Sequence, residues 1–99
     1  MTQNNDIMTG DPYRTAVATV ARLNVTYGGS NGDLPDTVSY DATDEQIRTW
    51  AAEAVHGGSI PGINPDPNAS FQDFVVDRFP ATGELPARVM IRPKTPFGL

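Results

Sequence analysis

The segment 44–56 constrains this chain more than any other. Ile47, Trp50, Ala51, Ala54 and Val55 recur at the spacing that puts them on one face of a helix. A stripe of this kind is stable only when something apolar covers it, because short helices owe most of their stability to tertiary packing. The ends of the helix are also specified. Thr43 is a good N-cap, and Gln46 three residues later completes a capping box. Asp44 and Glu45 suit the positive end of the helix dipole, and His56 suits the negative end. Gly57 can take the left-handed conformation that closes a helix, so the spacing predicts a stop there.

The cover for the stripe has to come from strands. Val17, Thr19, Ala21, Leu23, Val25 and Tyr27 alternate with Ala18, Val20, Arg22, Asn24 and Thr26, as a strand with one buried face requires. For residues 11–23 a helical reading stays open, since Asp11-Pro12 could start a helix and Tyr13, Val17, Val20 and Ala21 also fit that spacing. The crowd of β-branched residues favours the strand. Residues 28–33 form a glycine-rich turn cluster, and residues 37–40 have strand content with Val38 and Tyr40 on one side, giving a hairpin. Residues 57–70 read as an irregular loop. Residues 71–79 read as a strand whose inner face stays unassigned, because Phe74 and Val76 face one way while Val75 and Phe79 face the other. After a turn at 80–86, Arg88, Val89, Met90, Ile91 and Arg92 alternate until Pro93 ends the last strand. One helix laid on a four-stranded sheet is the smallest arrangement that buries both apolar surfaces. The expected class is therefore α+β.

Ninety-nine residues suit one domain with one core. Residues 13–93 are expected to form it, with 1–12 as a flexible N-terminal arm and 94–99 as a flexible tail. There is no cysteine, which excludes a disulfide framework, a thiolate metal site and a cysteine nucleophile. The net charge of −5 argues against general binding to nucleic acid, where phosphates demand a basic surface. Residues 1–10 lack the traits of a secretory signal, and no stretch approaches the ~18 apolar residues of a membrane span. A cytoplasmic location is expected, with no membrane partner.

The run Thr37-Val38-Ser39-Tyr40-Asp41-Ala42-Thr43-Asp44-Glu45-Gln46-Ile47 leads from strand to capped helix. With the exit Gly57-Gly58-Ser59-Ile60-Pro61 and a terminal strand running into a short tail, it resembles the ubiquitin-like β-grasp family. The resemblance covers most of residues 17–93. It implies a ββαββ order, with one helix on one face of a four-stranded mixed sheet. It also implies a small non-enzymatic protein that acts by binding other proteins, in some members as a modifier activated by an E1-like enzyme at a C-terminal glycine. In the tail Lys94-Thr95-Pro96-Phe97-Gly98-Leu99 the matching residue is Gly98; Phe97 stands where the family usually has glycine, and Leu99 would have to be removed.

If Val89 and Ile91 point at the helix, Arg88, Met90 and Arg92 point away, and Arg22 joins them when Ala21 and Leu23 are inside. These four residues form the candidate partner-binding face, cationic with an apolar centre. No catalytic residue, cofactor or metal site is expected. Asp66, Asn68, Ser70 and Asp73 space oxygen atoms as a calcium loop does, but Phe71 replaces the glycine of the sharp turn and no bidentate glutamate follows. The glycines at 28–32 precede a strand and have no lysine, unlike a phosphate loop. His56 is the single histidine and has no nucleophile beside it in sequence. Trp50 is expected in the core. A monomer is expected, and the other reading is a structural or assembly subunit of a larger complex, including a phage-type one, without conjugation.

Overall fold

A computed structural model of the chain describes residues 19–94. Within them lie strands β1 (Val20–Tyr27), β2 (Ser30–Asp33) and β3 (Val38–Ser39), helix α1 (Asp44–Gly57), and strands β4 (Val75–Phe79) and β5 (Ala87–Arg92). The architecture is α+β, with one helix among the described residues and a mixed sheet of five strands. The sheet runs β2-β1-β5-β4, with β3 paired to β1 as well. The expectation of four strands is corrected to five, because the partner of β1 is broken in two: β2 pairs antiparallel with Asn24 to Tyr27, and β3 with Val20 and Ala21. At the centre β1 and β5 run parallel, and β4 pairs antiparallel with β5.

The turn at 28–33 is shorter than its composition suggests. Gly28 and Gly29 alone make it, at φ 59° and 81°, the pair of positive angles a two-residue hairpin loop needs. Ser30 to Asp33 then form β2. Gly32 sits inside that strand because the neighbouring loop leaves no room: a Cβ there would lie 2.3 Å from the Pro61 carbonyl oxygen. Of the strand expected at 37–40, only Val38 and Ser39 pair. Residues 20–23 belong to β1, so the helical reading fails for them; residues 11–18 lie outside the described part.

In α1 the Thr43 hydroxyl accepts from Gln46 N–H and the Gln46 side chain accepts from Thr43 N–H, as the capping box requires. The helix ends one residue later than predicted, with Gly58 and not Gly57 at positive φ (72°). Ser59 N–H donates to the Ala54 carbonyl and Gly58 N–H to that of Val55, closing the last turn.

The core lies between α1 and the sheet. Leu23 and Val25 of β1, Val89 and Ile91 of β5, and Ile47 and Ala51 of α1 are all fully enclosed. The irregular segment 58–74 adds Ile60, Ile63, Ala69 and Phe71 to this core, so it is a packed wall. Trp50 departs from expectation: it is half-buried, at the rim where the helix overhangs the 34–37 connector. The register of β4 settles its inner face, since Val76 opposes Ile91 and Arg78 opposes Val89. An arginine therefore points to the helix side. It lies at the end of the sheet, where Nη1 pairs with Asp44 at 2.6 Å, Nε donates to the Tyr40 carbonyl at 3.3 Å, and Nη2 donates to the Ala42 carbonyl. The strand expected over 71–79 begins only at Val75; a turn closes before it, with Phe74 N–H donating to the Phe71 carbonyl.

Candidate functional site

Alternation along the strands sorts every side chain to one of two faces. With Ala21, Leu23 and Val25 against the helix, β1 turns Val20, Arg22, Asn24 and Thr26 outward; with Ala87, Val89 and Ile91 inward, β5 turns out Arg88, Met90 and Arg92. The register adds Asn31 and Asp33 from β2, and Val75, Asp77 and Phe79 from β4. No described helix covers this side.

Arg22 and Arg88 are direct neighbours across the parallel pair, and Asn24 and Met90 are the next such pair. Strands lie about 4.8 Å apart, so the two side chains start side by side; Arg22 then reaches toward Asp33 on β2 and Arg88 over Phe79 on β4. Between them is a cleft of about 310 Å³ lined by Arg22, Asn24, Asn31, Asp33, Arg88 and Met90. Its β2 wall is tied together by side-chain hydrogen bonds. Asn24 Nδ2 donates to Asp33 Oδ1 at 2.8 Å and to Asn31 Oδ1 at 3.1 Å, while Asn31 Nδ2 donates to Asn24 Oδ1 at 2.8 Å and to Thr26 Oγ1 at 2.9 Å.

The three arginines of this face have different company. Arg22 Nη2 meets Asp33 Oδ2 at 3.4 Å, a long contact between side chains that are 49% and 44% exposed. Arg92 Nε meets Asp77 Oδ2 at 3.0 Å. Arg88 lies over the Phe79 ring, 4.8 Å from its centroid, and among the described residues it has no carboxylate within ion-pair distance. Of the predicted site residues, Arg22, Arg88 and Met90 thus share one cleft, Arg92 stands beyond it in a pair of its own, and Gly98 lies outside the described residues.

Sequence reasoning missed Asn24, Asn31, Asp33 and Phe79. The available signal was the Gly28-Gly29 pair: read as a two-residue hairpin, it sets the register and brings Asn31 and Asp33 opposite Thr26 and Asn24.

The other conspicuous polar pair has a structural explanation. Tyr27 Oη donates to Asp66 Oδ2 at 2.6 Å, and Asn68 N–H donates to Asp66 Oδ1 at 2.9 Å. The bond from Tyr27, then that from Asn68, holds the Asp66 carboxyl below its ordinary range, and the same carboxylate raises the Tyr27 hydroxyl above its own. His56 Nε2 donates to the Ala69 carbonyl at 2.8 Å, pinning the same loop. These bonds occupy the oxygens of Asp66, and among the described residues there is no cluster of acidic or histidine side chains fit to hold a metal. Nor is any helix among them long and apolar enough to cross a membrane.

No family model matches the chain, and neither a curated protein nor a solved structure matches it.

Proposed function

We propose that this chain is a ubiquitin-like β-grasp protein of the cytoplasm, working without catalysis by docking a protein partner on the open face of its sheet. The fold part of the reading is supported by strand order. Taken as two halves of one interrupted strand, β2 and β3 return the ββαββ order and mixed sheet that the resemblance implies, with α1 against one face. The docking part is carried by one observation: the sheet face opposite α1, which no described helix covers, sets Arg22, Arg88 and Arg92 among apolar surface from Val20 (58% exposed), Met90 and Phe79 (38% exposed). Arginine, methionine and aromatic residues around an apolar centre are the composition of protein interfaces.

The test is positional. A photo-crosslinking side chain placed at Met90 should give a discrete adduct in the native cell, and the same group at Thr49, on the exposed side of α1, should not. Adducts of equal yield from both positions, or from neither, would remove the docking face. The modifier form of the reading, with an E1-like activating enzyme as partner, requires processing to Gly98. A tagged copy would then give covalent higher-mass products that disappear when Gly98 is deleted; without such products the protein is a binding module alone.

A further inference from the structure

The Arg22–Arg88 cleft is unbalanced in a way the fold does not require. Two like charges set directly across neighbouring strands repel, and either could be replaced by a neutral residue without touching the core. Asp33 offsets part of the repulsion, but its contact with Arg22 is long and well solvated, and exposed pairs of that kind contribute little. Arg88 uses the face of its guanidinium on Phe79, and no described residue takes its in-plane N–H fork. The cleft counts two positive charges, from Arg22 and Arg88, against one negative, from Asp33. It does so on a protein whose net charge is −5.

We infer that this cleft is a carboxylate site, binding a glutamate side chain presented by an acidic segment of a protein partner. A planar carboxylate matches the guanidinium fork of Arg88, with the charge of Arg22 on the same cleft adding to the attraction. Met90, half-buried at the cleft, supplies an apolar surface for the methylenes of glutamate. Asp33 argues for a single negative charge inside the cleft itself, because a phosphate dianion there would meet its carboxylate with twice the charge. The inference rests on the open face being the docking face, yet its chemistry can be read without any partner.

The experiment is an NMR titration of the isotope-labelled full chain with a capped hexaglutamate peptide at low ionic strength, following arginine Nε–H and backbone signals. Saturable shifts should centre on Arg22, Arg88 and Met90, weaken as salt is raised, and be absent with hexaglutamine. Arg88→Gln should lower the affinity about ten-fold. Arg88→Lys, keeping the charge without the fork, should lose less. Asp33→Asn should raise it, since it removes the competing anion. Unchanged affinity in Arg88→Gln, a fall in Asp33→Asn, or inorganic phosphate moving the same signals at lower concentration than the peptide would each overturn the assignment. A Met90 crosslink in a protein whose cleft ignores hexaglutamate would keep the docking face and remove the carboxylate site. Glutamate binding without a crosslink would do the opposite.

Discussion

Arg78 and Arg88 stand on adjacent antiparallel strands, one residue out of alignment, and have opposite fates. Arg88 opposes Phe79 and points to the open side; Arg78 opposes Val89 and points to the helix side. There Arg78 satisfies the Tyr40 and Ala42 carbonyls, where the chain turns from β3 into α1, and pairs with Asp44 in the first turn of the helix. Two of its donors answer backbone carbonyls and the third a carboxylate of the helix's first turn, so the fold itself uses the whole group. Among the described residues the Arg88 side chain bonds to no backbone group. On this sheet a charge on the helix side is explained by the fold, whereas a charge on the open side is left to be explained by what the protein meets.

That contrast can be broken at several points. Leu23→Ala, in the fully enclosed inner row, should cost about 3 kcal/mol, read as a lower urea midpoint with unchanged slope; a cost near zero would mean the helix does not press on β1. Arg78→Ala should cost about 2 kcal/mol, because it removes charge-assisted bonds to carbonyls beside the helix start. Arg88→Ala at the same depth of sequence should leave the midpoint almost unmoved, and equal losses would erase the distinction between the two faces.

A smaller effect is expected at the loop anchor. The folded-state pKa of Asp66 is depressed, so its contribution is present above the ordinary value of 3.8 and is lost as pH falls through the folded value. That of Tyr27 is raised, so its contribution is present below 10.0 and is lost as pH rises through the folded value. Tyr27→Phe should therefore flatten both flanks of the melting temperature against pH; a profile identical to that of the native chain would refute the anchor. On the open face, Arg92→Ala should likewise change stability by no more than about 0.5 kcal/mol, since its pair with Asp77 is well exposed.

The helix was legible in advance because its evidence is local: Thr43, Gln46 and the apolar spacing refer only to each other. Its exit was misplaced by one residue because Gly57 and Gly58 are chemically alike in the sequence; the positive φ falls on Gly58, which has Pro65 beside it. Strand β2 was hidden for a different reason. Ser, Asn, Gly and Asp are turn residues by composition, and they become a strand through pairing with residues 24–27, in register set by the Gly28-Gly29 turn and joined by side-chain bonds from Asn24. Strand β4 could not be oriented from Val75 and Val76, apolar on both sides, and its one inward charge contradicts any alternation rule. Trp50 falls within the helical stripe, yet the stripe is wider than the sheet beneath it. The candidate site was half legible: Arg22, Arg88 and Met90 follow from alternation, while Asn24, Asn31, Asp33 and Phe79 needed the pairing of strands distant in sequence.

The division of one neighbour of β1 into two short pieces sets how this side of the molecule comes apart. At one end the glycine turn and four paired residues hold β2 in place, and Leu34 N–H still reaches the Leu23 carbonyl. At the other, β3 offers two pairings and a single further bond from Tyr40 N–H to the Thr19 carbonyl. The two fastenings are separated by residues 34–37, so the second can release while the first stays closed. Solvent deuterium should then reach the amide of Tyr40 well before those of β2, and the opening that admits it begins beside Trp50, leaving the arginine cleft intact.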